Sequence, residues 1–243
     1  MIINNIFEAM NGLALVIGSG GIGTQIAKDL FSLEKGLEVI LCGRKKNFLN
    51  FWEFDIEDNN SLANLKNKIH NHPKPLRLVI NATGRLHSDT LTPEKRLQHL
   101  QKENLLESFS INAIAPILLA KIIEEFIPRD SAFNFASISA RVGSIGDNKT
   151  GGWYSYRAAK TAQNQLFKCL SIEWTRKFPQ ATITLLHPGT VDTSLSKPFQ
   201  RFVPENKLFS TEKASRYLID IIKNQNPSDS GQFLAWDGTK IPW

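Results

Sequence analysis

The sequence has few of the residues that build disulfide-stabilised or metal-binding proteins. Among its 243 residues only two are cysteines, Cys42 and Cys169, and each lies within an apolar run. We therefore expect two buried thiols in a reduced, cytoplasmic protein. No cluster of cysteine and histidine has the spacing of metal ligands, and the "HNH" stretch at 70–72 precedes a proline where a loop is expected. No metal site is predicted.

Long hydrophobic runs and dense positive charge are also missing. No uninterrupted apolar run reaches about 18 residues, and the N-terminal stretch "MIINNIFEAMNG" lacks a basic segment followed by an apolar core. The net charge of +6 is spread along the chain, apart from "GRKK" at 43–46. These absences argue against an integral membrane segment and against nucleic-acid binding, whereas a modest positive charge suits an anionic small molecule.

The sequence does contain a regular alternation of short β-rich apolar runs and longer amphipathic runs. Strands are predicted at 13–18, 37–42, 77–83, 132–139 and 181–187 and near "GQFLAW", and helices at 22–33, 60–70, 98–127, 154–178 and 211–224. Such alternation predicts an α/β protein whose parallel sheet has helices on both faces. We therefore expect one domain over residues 1–243, a doubly wound Rossmann fold with a mostly parallel sheet.

The longest stretch without an obvious element is 188–210, directly after a predicted strand. A loop of this length inside a compact domain is usually functional, and ligands bind at the carboxyl edge of such sheets. We predict that it forms a lid over the substrate.

Four glycines lie between the first predicted strand and the first predicted helix: Gly18, Gly20, Gly21 and Gly23. Glycine permits a tight turn and lets the backbone approach a pyrophosphate, whose charge then faces the helix N-terminus. An ordinary strand-to-helix turn also uses glycine. The position at the first βα turn nevertheless favours a dinucleotide site.

The second predicted strand ends in "ILCGRKK", where a dinucleotide site usually carries an acidic residue for the ribose hydroxyls. Gly43 takes the place of that acid, and Arg44, Lys45 and Lys46 follow. A guanidinium is a bidentate donor to phosphate, so this segment favours NADP, with NADPH preferred over NADH. The alternative interpretation is a basic surface loop.

Tyr156 and Lys160 are one turn apart on a predicted helix, whereas Tyr154 has Ala158 at the matching position. A phenol has an ordinary pKa of about 10, and a fixed ammonium group lowers it. Tyr156 would then exchange a proton with a carbonyl or an alcohol while a nicotinamide carries the hydride. The alternative is a surface tyrosine beside a surface lysine.

Taken together, the motifs resemble those of the short-chain dehydrogenase/reductase family over essentially the whole chain. They are "GSGGIG", Asp55 in "FDIED", "NATG" at 81–84, Asn112 in a long helix, "SISARVGS", "YSYRAAK" and "HPGTVDT". Their common order along the sequence is more specific than any one of them. The segments "GSIGDNKTGGWYSYRAAK" and "DGTKIPW" resemble the C-factor-like branch of that family.

The resemblance implies roles for particular residues. Tyr156 would be the general acid/base, Lys160 would lower its pKa and hold the nicotinamide ribose, and Asn112 would hold a proton-relay water. Asn112 has a second interpretation, as a donor to backbone carbonyls freed by Pro116. The residues implied in cofactor binding are Gly18, Ser19, Gly21, Ile22, Gly23, Arg44, Asp55, Ile56, Asn81, Ala82, Gly84, Tyr156, Lys160, Pro188, Gly189, Thr190, Val191 and Thr193.

The sequence departs from the family pattern at two positions. Ile17 stands where the glycine turn usually begins with threonine. The family's carbonyl-polarising serine commonly lies three residues before a glycine, but Ala140 occupies that position relative to Gly143. We place the role on Ser139, the next residue along, which shares a strand face with Ser137.

The function predicted from these features is NADPH-dependent reduction of a small-molecule carbonyl, or the reverse oxidation of an alcohol. The substrate pocket is expected to be lined by Trp153, Tyr154 and the 188–210 lid, with Phe199 and Phe202 as apolar contacts. A homodimer or homotetramer is expected. The alternative is a signalling or regulatory protein that binds a dinucleotide with little turnover.

Overall fold

The apolar runs of the sequence form the strands of one parallel sheet in the computed structural model, which describes residues 11–243. Its strands are β1 (Gly12–Ile17), β2 (Leu37–Gly43), β3 (Phe51–Glu53), β4 (Leu76–Asn81), β5 (Phe133–Ile138), β6 (Ala181–His187) and β9 (Gln232–Ala235). Their order is β3-β2-β1-β4-β5-β6-β9, and every neighbouring pair is parallel. Two short strands, β7 (Thr190–Val191) and β8 (Leu208–Phe209), pair separately.

Helices cover both faces of the sheet. They are α1 (Gly21–Leu33), α2 (Asn59–His70), α3 (Lys102–Phe109), α4 (Ala115–Ile123), α5 (Tyr154–Lys177) and α6 (Thr211–Lys223). Alternate residues of β1 enter two different cores: Leu15 packs with α2, α4 and α5, and Val16 packs with α1 and α6. Burial on both faces explains the near-continuous apolar strands. The predicted doubly wound fold is confirmed.

The strand order reverses at β1 and β4, because the chain builds outward through β2 and β3 and then returns to build on the other side. A doubly wound sheet binds its ligand at the carboxyl end of this reversal. The backbone after β1 and the backbone after β4 meet there, since the Ala82 N–H donates to the Ile17 carbonyl at 2.7 Å. This places the glycine turn and the "NATG" segment side by side.

The structure differs from the sequence-based expectations in three elements. Strand β3 was not expected, because it has only three residues and sits half exposed at the sheet edge. The expected helix over 98–127 is α3 and α4 joined by a π-helical turn at Ser110–Ile114, just before Pro116. The expected unstructured lid contains β7, β8 and short 3-10 turns at Lys197–Phe202 and Glu205–Lys207.

The two cysteines have different environments. Cys42 is buried, as expected, but Cys169 is exposed. The buried positions of α5 around it are Phe167, Leu170 and Ser171, so Cys169 falls on the outer face of the helix. The expectation of two buried thiols was therefore wrong for Cys169.

One stretch of the described chain, Lys102–Phe126, is long and apolar enough to cross a membrane by length and composition. Half of its most apolar window is buried inside the fold, as in the core helix of a globular domain. Within residues 11–243 no group of three or more metal-ligating side chains comes together.

Candidate active site

The glycine turn after β1 is packed too tightly for side chains. Gly18 has φ +110°, and a Cβ there would lie 3.0 Å from the carbonyl of Ala82. A Cβ at Gly23 would lie 2.0 Å from the Gly18 oxygen. The turn therefore needs glycine at both positions. It places the N-terminus of α1 at the carboxyl edge of the sheet.

The N-terminus of α1 is suited to an anion. Its N-cap, Gly20, offers no side-chain acceptor, and its first turn carries no acidic residue. A Cβ at Gly20 would have no atom within 4 Å, so the space beside this turn is open. The first amides of a helix left without a protein cap bind phosphate well.

The segment after β6 returns to this turn. A Cβ at Gly21 would lie 2.9 Å from Thr193 Cγ2, so Thr193 flanks the start of α1. Gly189 has φ +78° and packs against Phe209, while Thr190 and Val191 form β7. The predicted "HPGTVDT" residues thus run from the end of β6 past Phe209 to the start of α1, beside the glycine turn.

Ser19 joins the glycine turn to the basic segment. A Cβ at Gly43 would lie 2.4 Å from Ser19 Oγ, so no acidic side chain fits at the end of β2 without displacing Ser19. Ser19 Oγ also accepts the Lys45 N–H at 3.2 Å, and the Ser19 carbonyl accepts from Asn47 at 3.1 Å. The basic segment is therefore fixed beside the turn.

Arg44 and Asp55 lie at the rim of a cleft of about 720 Å³ that runs along α2. The Arg44 guanidinium is 3.9 Å from the Asp55 carboxylate, and the Arg44 side chain is 65% exposed. Ile56, next to Asp55, is buried. This cleft does not include Tyr156, so it corresponds to the β2 end of the site and not to the substrate end.

Asn81 at the end of β4 is fully buried. Its amide donates to Ser137 Oγ at 2.9 Å, and its carbonyl oxygen accepts from the hydroxyl of Thr83 at 2.7 Å. Asn81 thus fixes the "NATG" backbone from inside the fold, whereas Ala82 and Gly84 are partly exposed.

Gly84 lies between two predicted catalytic side chains. A Cβ there would lie 3.3 Å from Asn112 Oδ1 and 3.6 Å from Lys160 Nζ. Asn112 itself accepts the Arg85 N–H at 2.9 Å and donates to the Ser108 carbonyl at 3.0 Å. The Asn112 amide also donates to the Arg85 carbonyl at 2.8 Å. Neither carbonyl is the one four residues before Pro116 that proline leaves without its helical donor, so both interpretations of Asn112 stay predictions.

Tyr156 and Lys160 are both buried on the inner face of α5, and Lys160 Nζ lies over the Tyr156 ring, 5.8 Å from its centroid. Tyr154 is exposed, in agreement with its position on another face of the helix. Lys160 Nζ donates to the Ile138 carbonyl at 3.1 Å and to Gln163 Oε1 at 3.0 Å. The interpretation of a surface tyrosine–lysine pair is wrong.

Burial controls the ionisation of this pair. Loss of solvation lowers the pKa of Lys160 to about 7 and raises the pKa of Tyr156 above its ordinary value. We expected the ammonium group to lower the Tyr156 pKa. Desolvation has the larger effect, because both groups are removed from water. Tyr156 is therefore a protonated phenol at neutral pH.

Ser139 does not have a free hydroxyl. It is 2% exposed, and its Oγ donates to Asn164 Oδ1 at 2.6 Å, between β5 and α5. A hydroxyl can donate one hydrogen bond, and Ser139 already donates its bond to Asn164. Ser137 shares that strand face, as predicted, and accepts from Gln163 at 2.8 Å. The structure therefore does not support the expected carbonyl-polarising role of Ser139.

Aromatic rings extend from Tyr156 to the lid. The Trp153 centroid is 6.4 Å from the Tyr156 centroid and 5.0 Å from the Phe199 centroid. The His87 ring is 5.9 Å from the Phe199 ring, and His87 Nε2 is 3.2 Å from the Ser194 carbonyl. Phe199 lies where an apolar contact of the substrate pocket was expected. Phe202 does not, because it is 73% exposed and faces solvent beside Arg201.

The sequence analysis missed several buried polar residues at this site. Gln163 connects Lys160 to Ser137, Asn164 holds Ser139, and Glu94 binds the start of α5. Asn164 continues the four-residue spacing of Tyr156 and Lys160, so helix periodicity could have found it. Glu94 lies 61 residues before its partner Ser155, and no local pattern predicts such a contact.

A doubly wound sheet with this glycine turn and a buried tyrosine–lysine pair on the helix after β5 is the arrangement of nicotinamide-dependent oxidoreductases. The sequence model of the short chain dehydrogenase family matches residues 13–203. The chain belongs to that family, as its motifs indicated.

Two curated relatives match part of the chain. One is 1-hydroxy-2-glutathionyl-2-methyl-3-butene dehydrogenase of Rhodococcus sp. (strain AD45), 32% identical over 144 residues that cover 59% of this chain and 61% of the relative. The other is C-signal of Myxococcus xanthus, 28% identical over 141 residues, 58% of this chain and 79% of the relative. The match thus spans about three fifths of the Rhodococcus protein. C-signal agrees with the predicted C-factor-like branch.

Two solved structures share the fold over nearly the whole chain. Carbonyl reductase Sniffer of D. melanogaster superposes with a TM-score of 0.82 at 22% identity and covers 96% of this chain and 100% of its own. NADPH-bound carbonyl reductase from chicken fatty liver gives 0.79 at 22% identity, covering 96% and 94%. At this identity the likeness establishes the fold.

Proposed function

We propose that the protein is an NADPH-dependent carbonyl reductase, able to run in reverse as an alcohol dehydrogenase. The observation that carries the proposal is the buried Tyr156–Lys160 pair, in which Lys160 Nζ lies over the phenol ring. A buried amine is costly to charge, and two hydrogen-bond acceptors hold Lys160 Nζ in place. Perturbed titratable groups of this kind cluster at functional sites.

The residues present fit a dinucleotide. The pyrophosphate would be held by the uncapped α1 N-terminus at Gly20 and Gly21, and the adenosine end by the cleft at Arg44 and Asp55. Gly84 gives the ribose access to Lys160. When bound, the reduced nicotinamide supplies the hydride to the carbonyl carbon.

The chain's own residues supply the proton. Because burial raises its pKa, the Tyr156 hydroxyl stays protonated and donates to the carbonyl oxygen as negative charge develops there. Lys160 would stabilise the tyrosinate that remains, and the hydrogen-bond chain through Gln163 and Ser137 holds Lys160 in position. The reverse direction needs a tyrosinate, which the positive charges of Lys160 and of the oxidised nicotinamide would favour, to take the proton of the alcohol.

A preference for NADPH is supported by the exclusion of an acid at Gly43 and by the exposed guanidinium of Arg44. We expect NADPH to bind at least tenfold more tightly than NADH and Arg44→Asp to abolish the difference, measured by cofactor fluorescence titration. Lys35→Asp makes the same charge change at an exposed site in the α1–β2 connection and should leave the ratio unaltered. Equal affinities in the parent protein would refute the preference.

The substrate class follows from the aromatic wall. Trp153 borders Tyr156, and Phe199 packs on Trp153, so a small or medium apolar carbonyl is the preferred substrate. The test is an NADPH-oxidation screen across ketones, aldehydes and quinones, with NADH in parallel. Absence of turnover with every carbonyl, in protein shown to bind NADPH, would reject the enzyme.

A second function, dinucleotide-dependent signalling with little turnover, is supported by two observations. The Ser139 hydroxyl is already used in its bond to Asn164, and the relative C-signal bears a signalling name. The same screen separates the two functions, because a signalling protein would bind NADPH without oxidising it. The predicted cytoplasmic location and homodimeric or homotetrameric assembly await fractionation and light scattering.

A further inference from the structure

The helix that carries Tyr156 begins in a way that its own residues do not explain. The three residues before Tyr154 all have left-handed backbones, with φ +62° at Gly151, +66° at Gly152 and +51° at Trp153. Trp153 is the single non-glycine residue with positive φ within 11–243. An L-residue adopts this conformation only when its surroundings impose it.

The helix also lacks an ordinary N-terminal cap. Trp153 occupies the N-cap position, where its indole offers no acceptor, and no acidic residue lies in the first turn. The first amides of α5 therefore need acceptors from elsewhere in the chain.

Glu94, in the segment between β4 and α3, provides these acceptors. Its Oε2 accepts the Ser155 N–H at 3.1 Å, its Oε1 accepts from the Ser155 hydroxyl, and its backbone carbonyl accepts the Trp153 N–H. The side chain is 2% exposed. A buried carboxylate at a helix N-terminus is favoured by the aligned peptide dipoles.

Arg157 holds the same turn from the other side. Its Nε donates to the carbonyls of Gly151 and Gly152, at 3.2 and 3.0 Å, and its Nη2 donates to Thr150 Oγ1 at 2.8 Å. The left-handed turn is thus fixed at both ends, by Glu94 on its amides and by Arg157 on its carbonyls.

We propose that Glu94 is a positioning residue for proton transfer: by binding Ser155 and Trp153, it sets the first turn of α5 and thereby the direction of the Tyr156 hydroxyl. Ser155 directly precedes Tyr156, so a rotation of this turn moves the phenol. The same bonds place the Trp153 ring between Tyr156 and the lid residue Phe199. This inference rests on the proposed function.

The test compares Glu94→Ala and Glu94→Gln with the parent, with kcat expressed per NADPH site titrated. Small displacements at a reacting centre cost large factors in rate. We expect kcat to fall at least twentyfold in Glu94→Ala and at least fivefold in Glu94→Gln, which keeps one acceptor oxygen. The dissociation constant of NADPH should stay within twofold, because the bonded residues lie away from the glycine turn.

The matched control is Glu34→Gln. Glu34 is another buried carboxylate, at the end of α1, and it pairs with Lys223 at the end of α6. The Glu34→Gln variant should lose thermal stability and keep the parent kcat per site. A residue with only a structural role would behave like Glu34, so a kcat per site in Glu94→Ala within threefold of the parent overturns the proposal. If Glu94→Ala does not fold, Glu94→Gln decides, and a loss below fivefold overturns it.

A second readout does not depend on turnover. Release of the left-handed turn in Glu94→Gln should accelerate tryptic cleavage after the exposed Lys149 at least threefold relative to Glu34→Gln. An unchanged cleavage rate contradicts Glu94 as the holder of the turn. A parent protein without turnover would instead reject the proposed function, and the cleavage rates would still judge Glu94.

Discussion

The rings of Trp153 and Phe199 lie 5.0 Å apart, centroid to centroid, and join the start of α5 to the 188–210 segment, the predicted lid. Their planes are tilted by 60°, and the next ring along is that of His87. Phe199 is therefore a contact between the 188–210 segment, the predicted lid, and the start of α5.

Removal of this contact should open the lid. An aromatic pair contributes about 1 kcal/mol beyond the area that it buries, so Phe199→Ala should raise tryptic cleavage after the exposed Lys207 about fivefold or more. Saturating NADPH and substrate should slow cleavage in the parent protein. Phe202→Ala, which removes an exposed ring, is the control and should cleave at the parent rate. Equal cleavage of the parent with and without ligands would show that the segment is not a lid.

Tyr156→Phe should abolish most of the turnover. The change keeps the buried ring and its contact with Lys160 but removes the proton donor, so kcat should fall by about a hundredfold or more while NADPH affinity barely changes. Tyr154→Phe is the matched control, because Tyr154 lies two residues away and is 38% exposed. Steady-state rates of the two variants decide the matter. Comparable losses in both would rule out Tyr156 as the acid.

Ser139→Ala should cost stability more than turnover. It leaves Asn164 Oδ1 without its donor inside the fold, which costs about 1–3 kcal/mol in the free energy of unfolding, while kcat should fall less than tenfold. Urea unfolding and steady-state kinetics measure the two effects. A hundredfold loss of kcat would restore Ser139 as the group that polarises the carbonyl. If Ser139 were that group, Ala140→Ser, which supplies a hydroxyl at the family's usual position, should not raise kcat. If Ser139 does not polarise the carbonyl, as we infer, Ala140→Ser should raise kcat.

Stability should fall in mild acid because of His187. Burial, with a smaller effect of the Arg141 charge, lowers the pKa of His187 from 6.5 to about 4. The unfolded chain therefore binds a proton first as the pH falls below 6.5, and the folded state loses about 2 kcal/mol between pH 7 and pH 5. Burial also lowers the pKa of Lys160, from 10.5 to about 7, so Lys160 makes the free energy of unfolding depend on pH mainly above pH 7.

His187→Gln should remove that loss. Chemical denaturation of the parent and the variant at pH 7 and pH 5 gives the comparison, above the range in which carboxylates titrate. If the parent and His187→Gln lost the same free energy of unfolding, His187 would not be the group that is buried in its neutral form.

The sequence alone determined the fold class and the order of the site along the chain. Alternating apolar and amphipathic runs suffice for this, because strands buried on both faces must be apolar throughout and their crossover helices must be amphipathic. The glycine turn, the basic residues after β2 and the spacing of Tyr156 and Lys160 are likewise local patterns. They depend on a few neighbouring residues and on the geometry of one turn or one helix.

The tertiary structure decided everything that depends on contacts between distant segments. The hydroxyl of Ser139 donates its hydrogen bond to Asn164, which lies on another element, so it is not free to donate to a carbonyl. Desolvation raises the Tyr156 pKa although a lysine lies one turn away, since burial is a property of the whole fold. Glu94 reaches the start of α5 from 61 residues away. Hydrogen-bond partners and solvation are set by the packing of the chain in three dimensions, and no sequence spacing encodes them directly.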